Sequence, residues 1–150
     1  IVGLVASLVA VAVVAAAGAL FGPGAWYAQL VKPAWTPPDW LFGPGWTVLY
    51  IAMAVAAWLV WRERHERDVR PALVAYGLQL VANALWSWLF FGQHRIGLAL
   101  ADIVLLWVLI AVTIALFLPL RRAAALLLVP YLAWVSYAAA LNWALWRLNG

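Results

Sequence analysis

Polar residues are sparse enough in this chain to act as punctuation. Five apolar runs occupy residues 2–21, 44–61, 71–91, 96–118 and 123–146. Each is long enough to cross about 30 Å of hydrocarbon as a helix. Gly22-Pro23-Gly24 closes the first run, Pro119 closes the fourth, and Pro44 and Pro71 open the second and third. Proline is tolerated in a first helical turn, where its missing N–H is not needed. The pattern predicts one all-α integral membrane domain over residues 1–150. It is a bundle of five transmembrane helices with a long ordered loop between helices one and two. No internal repeat is visible. The sequence begins at Ile1 and not at Met, as expected of a trimmed chain.

The few polar and aromatic positions inside the runs fall on faces. Trp46, Tyr50 and Met53 recur at i, i+4 and i+7 of helix two, which puts them on one side. Gln79, Asn83 and Ser87 recur every four residues of helix three, with Trp86 and Phe90 beside them. Amides in hydrocarbon need partners, either neighbouring helices or a ligand. Helix four carries Asp102, the one acid well inside a span. An intramembrane acid is a functional candidate by default, but an ion pair with Arg95, two turns back, is the simpler expectation. Tyr131, Trp134, Ala138 and Leu141 share a face of helix five, and Pro130 is expected to kink or loosen that helix.

The stretch from Gly22 to Trp46 departs from all of this. It holds four tryptophans (Trp26, Trp35, Trp40, Trp46), five prolines and the only lysine, Lys32. Long loops in compact proteins are functional or disordered, and disordered segments are poor in aromatics. The stretch therefore reads as an ordered lid or pocket wall. Residues 25–31 suit a short helical turn, and Lys32-Pro33 and Thr36-Pro37-Pro38 impose extended backbone. For Trp26 and Tyr27 an interfacial aromatic belt is an equal reading.

Composition confirms the class and narrows the chemistry. The chain is 69% hydrophobic and 9% charged, against about 45–50% and about 25% for soluble domains. It has no cysteine, which removes disulfides, thiol catalysis and cysteine metal sites. The net charge of +4 comes from basic residues at helix ends, a mark of membrane orientation and not of nucleic acid. Arg62, Arg64, Arg67, Arg70, Arg121 and Arg122 lie on the N-terminal side, against Lys32, Arg95 and Arg147 on the other. In a bacterial inner membrane this asymmetry puts the N-terminus in the cytoplasm. Both histidines, His65 and His94, lie in loops, so no core axial haem ligand exists. His65 sits in the charged loop RERHERDVR, a solvated connection. No phosphate loop, Ser-His-Asp set or paired acids on one face can be found, and no metal or other cofactor is expected. What remains is a set of indoles in the spans, Trp46, Trp86, Trp107 and Trp134, beneath Trp35 and Trp40. Such a wall suits a flat hydrophobic ligand with a few polar handles, and Lys32 or Arg95 at the rim can meet a carboxylate.

WYAQLVKPAWTPPDWLFGPGWTVLY (Trp26 to Tyr50), LQLVANALWSWLFFGQHRIGLALAD (Leu78 to Asp102) and VPYLAWVSYAAALNWALWRLN (Val129 to Asn149) together resemble the tryptophan-rich sensory protein family, also called TspO or translocator protein. The resemblance covers nearly the whole chain. It implies a five-helix membrane bundle, often a homodimer, with a pocket under the first loop. It implies binding of porphyrins such as protoporphyrin IX, and in mammalian members of cholesterol and synthetic ligands. It also implies, for some bacterial members, light-driven degradation of protoporphyrin. In that case Trp46 and Trp134 are the essential pair. Asn83 matches the pocket asparagine, Ala138 a helix-five lining position, and Tyr27 and Trp35 loop residues above the ligand. Tyr50 and Trp86 complete the expected ligand-binding set. The family's sterol motif needs a Tyr where Trp143 stands between Leu141 and Arg147, so no sterol site of that form is expected. Three functions follow: porphyrin binding in sensing, transport or disposal; a porphyrin-degrading enzyme; or a transporter of lipid or small hydrophobic solutes.

Overall fold

The computed structural model describes residues 2–19, 30–36 and 42–149. Within them the regular structure is entirely helical. The α-helices are α1 (Val2–Ala19), α2 (Phe42–Trp61), α3 (Arg70–Ser87), α4 (Ile96–Phe117) and α5 (Arg122–Asn149), with a π-helical turn (Trp88–Gly92) continuing α3. Three segments, Arg70–Phe90, Ile96–Phe117 and Arg122–Asn149, are long and apolar enough to cross a membrane. The protein is a membrane protein.

The helices close into a ring. α1 packs on α2, α2 on α5, α5 on α4, α4 on α3, and α3 back on α1. The seams are built of small side chains. Ala54, Ala56, Ala57, Ala72, Ala82, Ala99, Ala124 and Ala125 are buried, whereas Val48, Ile51, Val74, Leu78, Val81, Leu105 and Leu126 face outward. Large aliphatics outside and alanines inside suit lipid: tails are as apolar as leucine, and close helix approach supplies the attraction. At Gly3 a Cβ would stand 2.6 Å from Trp61 Cδ1, so only glycine lets α1 lie against that indole. Ser7 Oγ donates to the Ala54 carbonyl at 2.8 Å, fixing the same seam.

Three features go beyond or against what spacing implies. First, Pro130 lies inside α5, on its outward side, and α5 is one helix from Arg122 to Asn149. α5 also passes Trp146 to reach Asn149, whose Nδ2 donates to the Leu145 carbonyl at 3.0 Å and satisfies the last turn. Second, α3 ends in a π-turn, closed by Gln93 N–H donating to the Trp88 carbonyl at 2.7 Å. The chain then turns at His94 with φ of 57°, a left-handed conformation uncommon outside glycine. Third, Asp102 is buried but makes no ion pair among the described residues, and its Oδ2 has no hydrogen-bond partner there. Arg95 stands before α4 with φ −99° and ψ 79°. It is off the helical register that a seven-residue spacing assumes.

Polar groups tie the ring together at both ends. Trp86 Nε1 donates to Asn142 Oδ1 at 2.9 Å, and Asn142 Nδ2 donates to the Ile96 carbonyl at 3.0 Å. One α5 amide thereby holds α3 and the start of α4. At the arginine-rich end Arg121 meets Glu63 at 3.3 Å. Replacing Asn142 by Leu removes both of its bonds in one step. Thermal unfolding in detergent should show a loss of about 1–2 kcal/mol, seen as a melting temperature lower by several degrees. An unchanged melting temperature would mean that the two contacts contribute nothing to stability.

Candidate functional site

Helix periodicity brings four aromatic rings together where α2 meets α5. Trp46 stacks on Tyr50, one turn along α2, with ring centres 5.6 Å apart and an interplanar angle of 27°. It meets Tyr131 at 6.3 Å and Trp134 at 6.1 Å, both edge to face. Trp134 in turn lies 6.1 Å from Tyr137. Such edge-to-face and offset pairs each contribute about 0.5–1.5 kcal/mol beyond the area they bury. Gly45 packs beside the cluster: a Cβ there would make an ordinary contact with Trp134 Cη2 at 3.6 Å. Trp46 and Trp134 remain half-exposed, so part of each indole is open to another molecule.

Beneath the rings runs a one-way chain of hydrogen bonds. Tyr50 donates to Asn83 Oδ1 at 2.7 Å, and Asn83 Nδ2 donates to the Tyr131 oxygen at 2.9 Å. Tyr131 donates to Gln79 Oε1 at 2.7 Å, and Gln79 Nε2 reaches Met53 Sδ at 3.8 Å. Gln79 and Asn83 are only 1% and 2% exposed. The polar stripe of α3 is thus spent on α2 and α5. Asn83 supports the aromatic floor with both ends of its amide, and Ala138 is buried one turn beyond Trp134.

Above the rings lies the described part of the long loop. Residues 33–36 form a turn in which Thr36 N–H and Oγ1 both donate to the Pro33 carbonyl, at 3.1 and 2.7 Å. α5 holds this turn at two points. Tyr137 OH donates to the Trp35 carbonyl at 2.5 Å, and the two rings meet edge-on at 5.6 Å. Asn149 pairs with the backbone of Val31 in both directions, accepting its N–H at 2.9 Å and donating to its carbonyl at 2.8 Å. Lys32 Nζ reaches the Leu30 carbonyl at 3.5 Å.

Of the expected site residues, Trp46, Tyr50, Asn83, Trp134 and Ala138 gather between α2, α3 and α5, with Trp35 joined through Tyr137. Trp86 stands apart from the four rings: it stacks on Phe90 at 5.2 Å and bonds to Asn142. Trp107 does not belong to a pocket wall. It is 40% exposed, and its Nε1 donates outside the core to Ser136 Oγ at 2.8 Å. Tyr27, Trp26 and Trp40 lie outside the described residues, as does most of the helical turn expected over 25–31. Leu30 and Val31 at its end are not helical. The sequence reading missed Tyr137 and Asn149 as loop anchors. The three-residue step from Trp134 to Tyr137 was the available signal for the first. For Asn149, beyond the apolar run, there was none.

Comparison with known proteins places the chain in a family. The model of the TspO/MBR family matches residues 6–147. Protein CrtK of Rhodobacter capsulatus is 42% identical over 142 residues, covering 94% of this chain and 89% of the relative. Tryptophan-rich protein TspO of Archaeoglobus fulgidus is 40% identical, covering 99% of this chain and 98% of the relative. Translocator protein of Homo sapiens is 42% identical, covering 83% of this chain and 75% of the relative. With a match across nearly its whole length and relatives this similar, the chain belongs to the TspO/MBR family.

Proposed function

We propose that this protein binds porphyrin-like tetrapyrroles, serving their sensing, transport or disposal. The supporting observation is the pairing of Trp46 with Trp134 at 6.1 Å under a loop that α5 anchors. A flat macrocycle suits this place: half-exposed indoles offer stacking faces, and Asn83, Tyr50 and Tyr131 give the floor a fixed shape. Lys32 on the loop offers a cation to a propionate. Trp35, Trp46, Tyr50, Trp134 and Ala138 are the contacts we assign, with Tyr27 added by family resemblance. All five helices span the bilayer in this reading. The N-terminus faces the cytoplasm, which chemical labelling of Arg64→Cys and Thr36→Cys from opposite sides would test in this cysteine-free chain. A homodimer would use the α3 face around Gly77, which meets nothing within 4 Å, since Ala72 and Ala75 are buried and Gly3 lies against Trp61. Failure of Gly77→Cys to cross-link in membranes would remove that face.

The contact between two oxidisable indoles favours one further reading. A bound porphyrin excited by light would sit beside Trp46 and Trp134 and be degraded by dioxygen. Illumination should then bleach the porphyrin spectrum with the natural chain and not with Trp46→Phe. A spectrum stable to light in both would leave binding alone.

Two results test the binding reading. A dark titration with protoporphyrin IX should quench tryptophan fluorescence saturably, and Trp46→Phe with Trp134→Phe should weaken it about tenfold, the scale of two lost aromatic pairs. Unchanged affinity in a folded double variant would refute it. Asn149→Ala frees Val31 from α5 and should speed porphyrin dissociation several-fold with little change in melting temperature. An unchanged off-rate would mean that the loop does not retain the ligand.

A further inference from the structure

A cavity of about 970 Å³ opens between α1, α2 and α3 at the arginine-rich end of the bundle. Trp61, in its wall, is fifteen residues along α2 from Trp46, about 22 Å at helical rise. None of the residues lining this cavity belongs to the aromatic cluster described above.

Its rim is cationic and aromatic. The Arg62 guanidinium lies 5.0 Å from the centre of the Trp58 ring, and that of Arg64 lies 4.3 Å from Trp61. Arg64 also donates to the Trp61 carbonyl at 3.1 Å. Two of the three acids of the same loop are held by other arginines: Glu63 meets Arg121 at 3.3 Å and Asp68 meets Arg70 at 3.1 Å. Among the described residues neither Arg62, Arg64 nor the third acid, Glu66, has an ion pair. Two cations held over indoles, facing a cavity and without an ion pair, suit an anion.

Deeper in, the walls change character. Ala6, Ala57 and Leu73 are apolar, and Tyr76 lines the cavity with its ring stacked on Phe117 at 6.1 Å. The Tyr76 residue is only 7% exposed, and its hydroxyl has no hydrogen-bond partner among the described residues. Ser7, on the facing helix, gives its proton to the Ala54 carbonyl, and its oxygen is the one side-chain acceptor near the Tyr76 hydroxyl, without a well-formed bond between them. A buried O–H without a well-formed bond costs free energy, and a ligand with a better-placed acceptor at that depth removes the cost.

We propose that this cavity binds an anionic glycerophospholipid. Its phosphate lies between Arg62 and Arg64 at the rim. An ester carbonyl accepts the Tyr76 hydroxyl one to two turns deeper, and an acyl chain follows the alanine and leucine wall to the open side. Free phosphate would answer the arginines and leave both the apolar wall and Tyr76 unmet. Basic pockets between transmembrane helices bind acidic lipids on the same principle. The site is independent of the porphyrin reading and lies at the other end of α2.

The test is native mass spectrometry of the purified chain with phosphatidylglycerol and with phosphatidylcholine of matched acyl chains. Phosphatidylglycerol should be retained about tenfold more tightly, because phosphatidylcholine brings the same phosphate but sets its choline cation beside two guanidinium groups, and repulsion between like charges at close range is of that order. Arg62→Gln with Arg64→Gln should bring that ratio close to one. Tyr76→Phe should weaken phosphatidylglycerol binding several-fold while keeping the ring on Phe117, and Ala6→Phe, which fills the cavity from an exposed position, should block it. Porphyrin titration of the arginine variants should be unchanged, which also shows that they fold. Equal retention of the two lipids by the natural chain would overturn the proposal. So would a preference that survives the arginine substitutions. Full displacement of phosphatidylglycerol by inorganic phosphate alone would overturn it too, in favour of a simple anion site.

Discussion

An amide buried in a membrane protein has no water to fall back on, and the Asn83 side chain is the point from which the rest of this site is built. Its carbonyl oxygen takes the Tyr50 proton and its N–H₂ reaches Tyr131. Those two tyrosines stand on α2 and α5, the helices that also carry Trp46 and Trp134. The register between α2 and α5 is therefore fixed by α3, through bonds whose loss would leave polar groups unmet in the core. Aromatic packing alone tolerates sliding, because edge-to-face contacts change slowly with offset. The hydrogen-bonded floor gives the two indoles one relative position.

The ring of helices explains how such a floor can exist. Alanine seams bring α2, α3 and α5 close enough for short amides and tyrosines to meet across them, while valine and leucine point to lipid. Gly3 extends the same logic to an indole, since Trp61 lies on a backbone position where a larger residue would crowd it. Tryptophan is abundant here for different local reasons. Some rings stack on one another, some bond an amide, and some carry an arginine.

Much of this was legible in the sequence because periodicity in an apolar run is a strong signal. The face of Trp46, Tyr50 and Met53 and the stripe of Gln79 and Asn83 both point inward, as spacing requires. What spacing could not supply was the partner. Gln79 and Asn83 could have faced a ligand or other helices, and only the packing of α2 and α5 shows that they serve Tyr50, Tyr131 and Met53. Arg95 and Asp102 failed for a related reason. A seven-residue spacing implies a shared face only while the backbone is helical, and Arg95 precedes the helix. Trp107 failed because an indole inside a span was taken for an inward one, whereas its N–H finds Ser136 on the neighbouring helix from the outer side. The residues that hold the loop, Tyr137 and Asn149, follow from the structure alone.

The two ends of α2 set out different chemistry with the same residue type. At Trp46 the indole has aromatic neighbours and a neutral hydrogen-bonded floor, an environment that selects flat, weakly polar surfaces. At Trp58 and Trp61 the indoles carry guanidinium groups that make no ion pair among the described residues, while Glu63 and Asp68 are held by Arg121 and Arg70, an environment that favours negative charge. Arg121–Glu63 thus does more than join two loops. By drawing Glu63 towards α5 it leaves Arg62 and Arg64 without that acid beside the cavity, and a loop that reads in sequence as four arginines against three acids presents, once folded, a cationic rim.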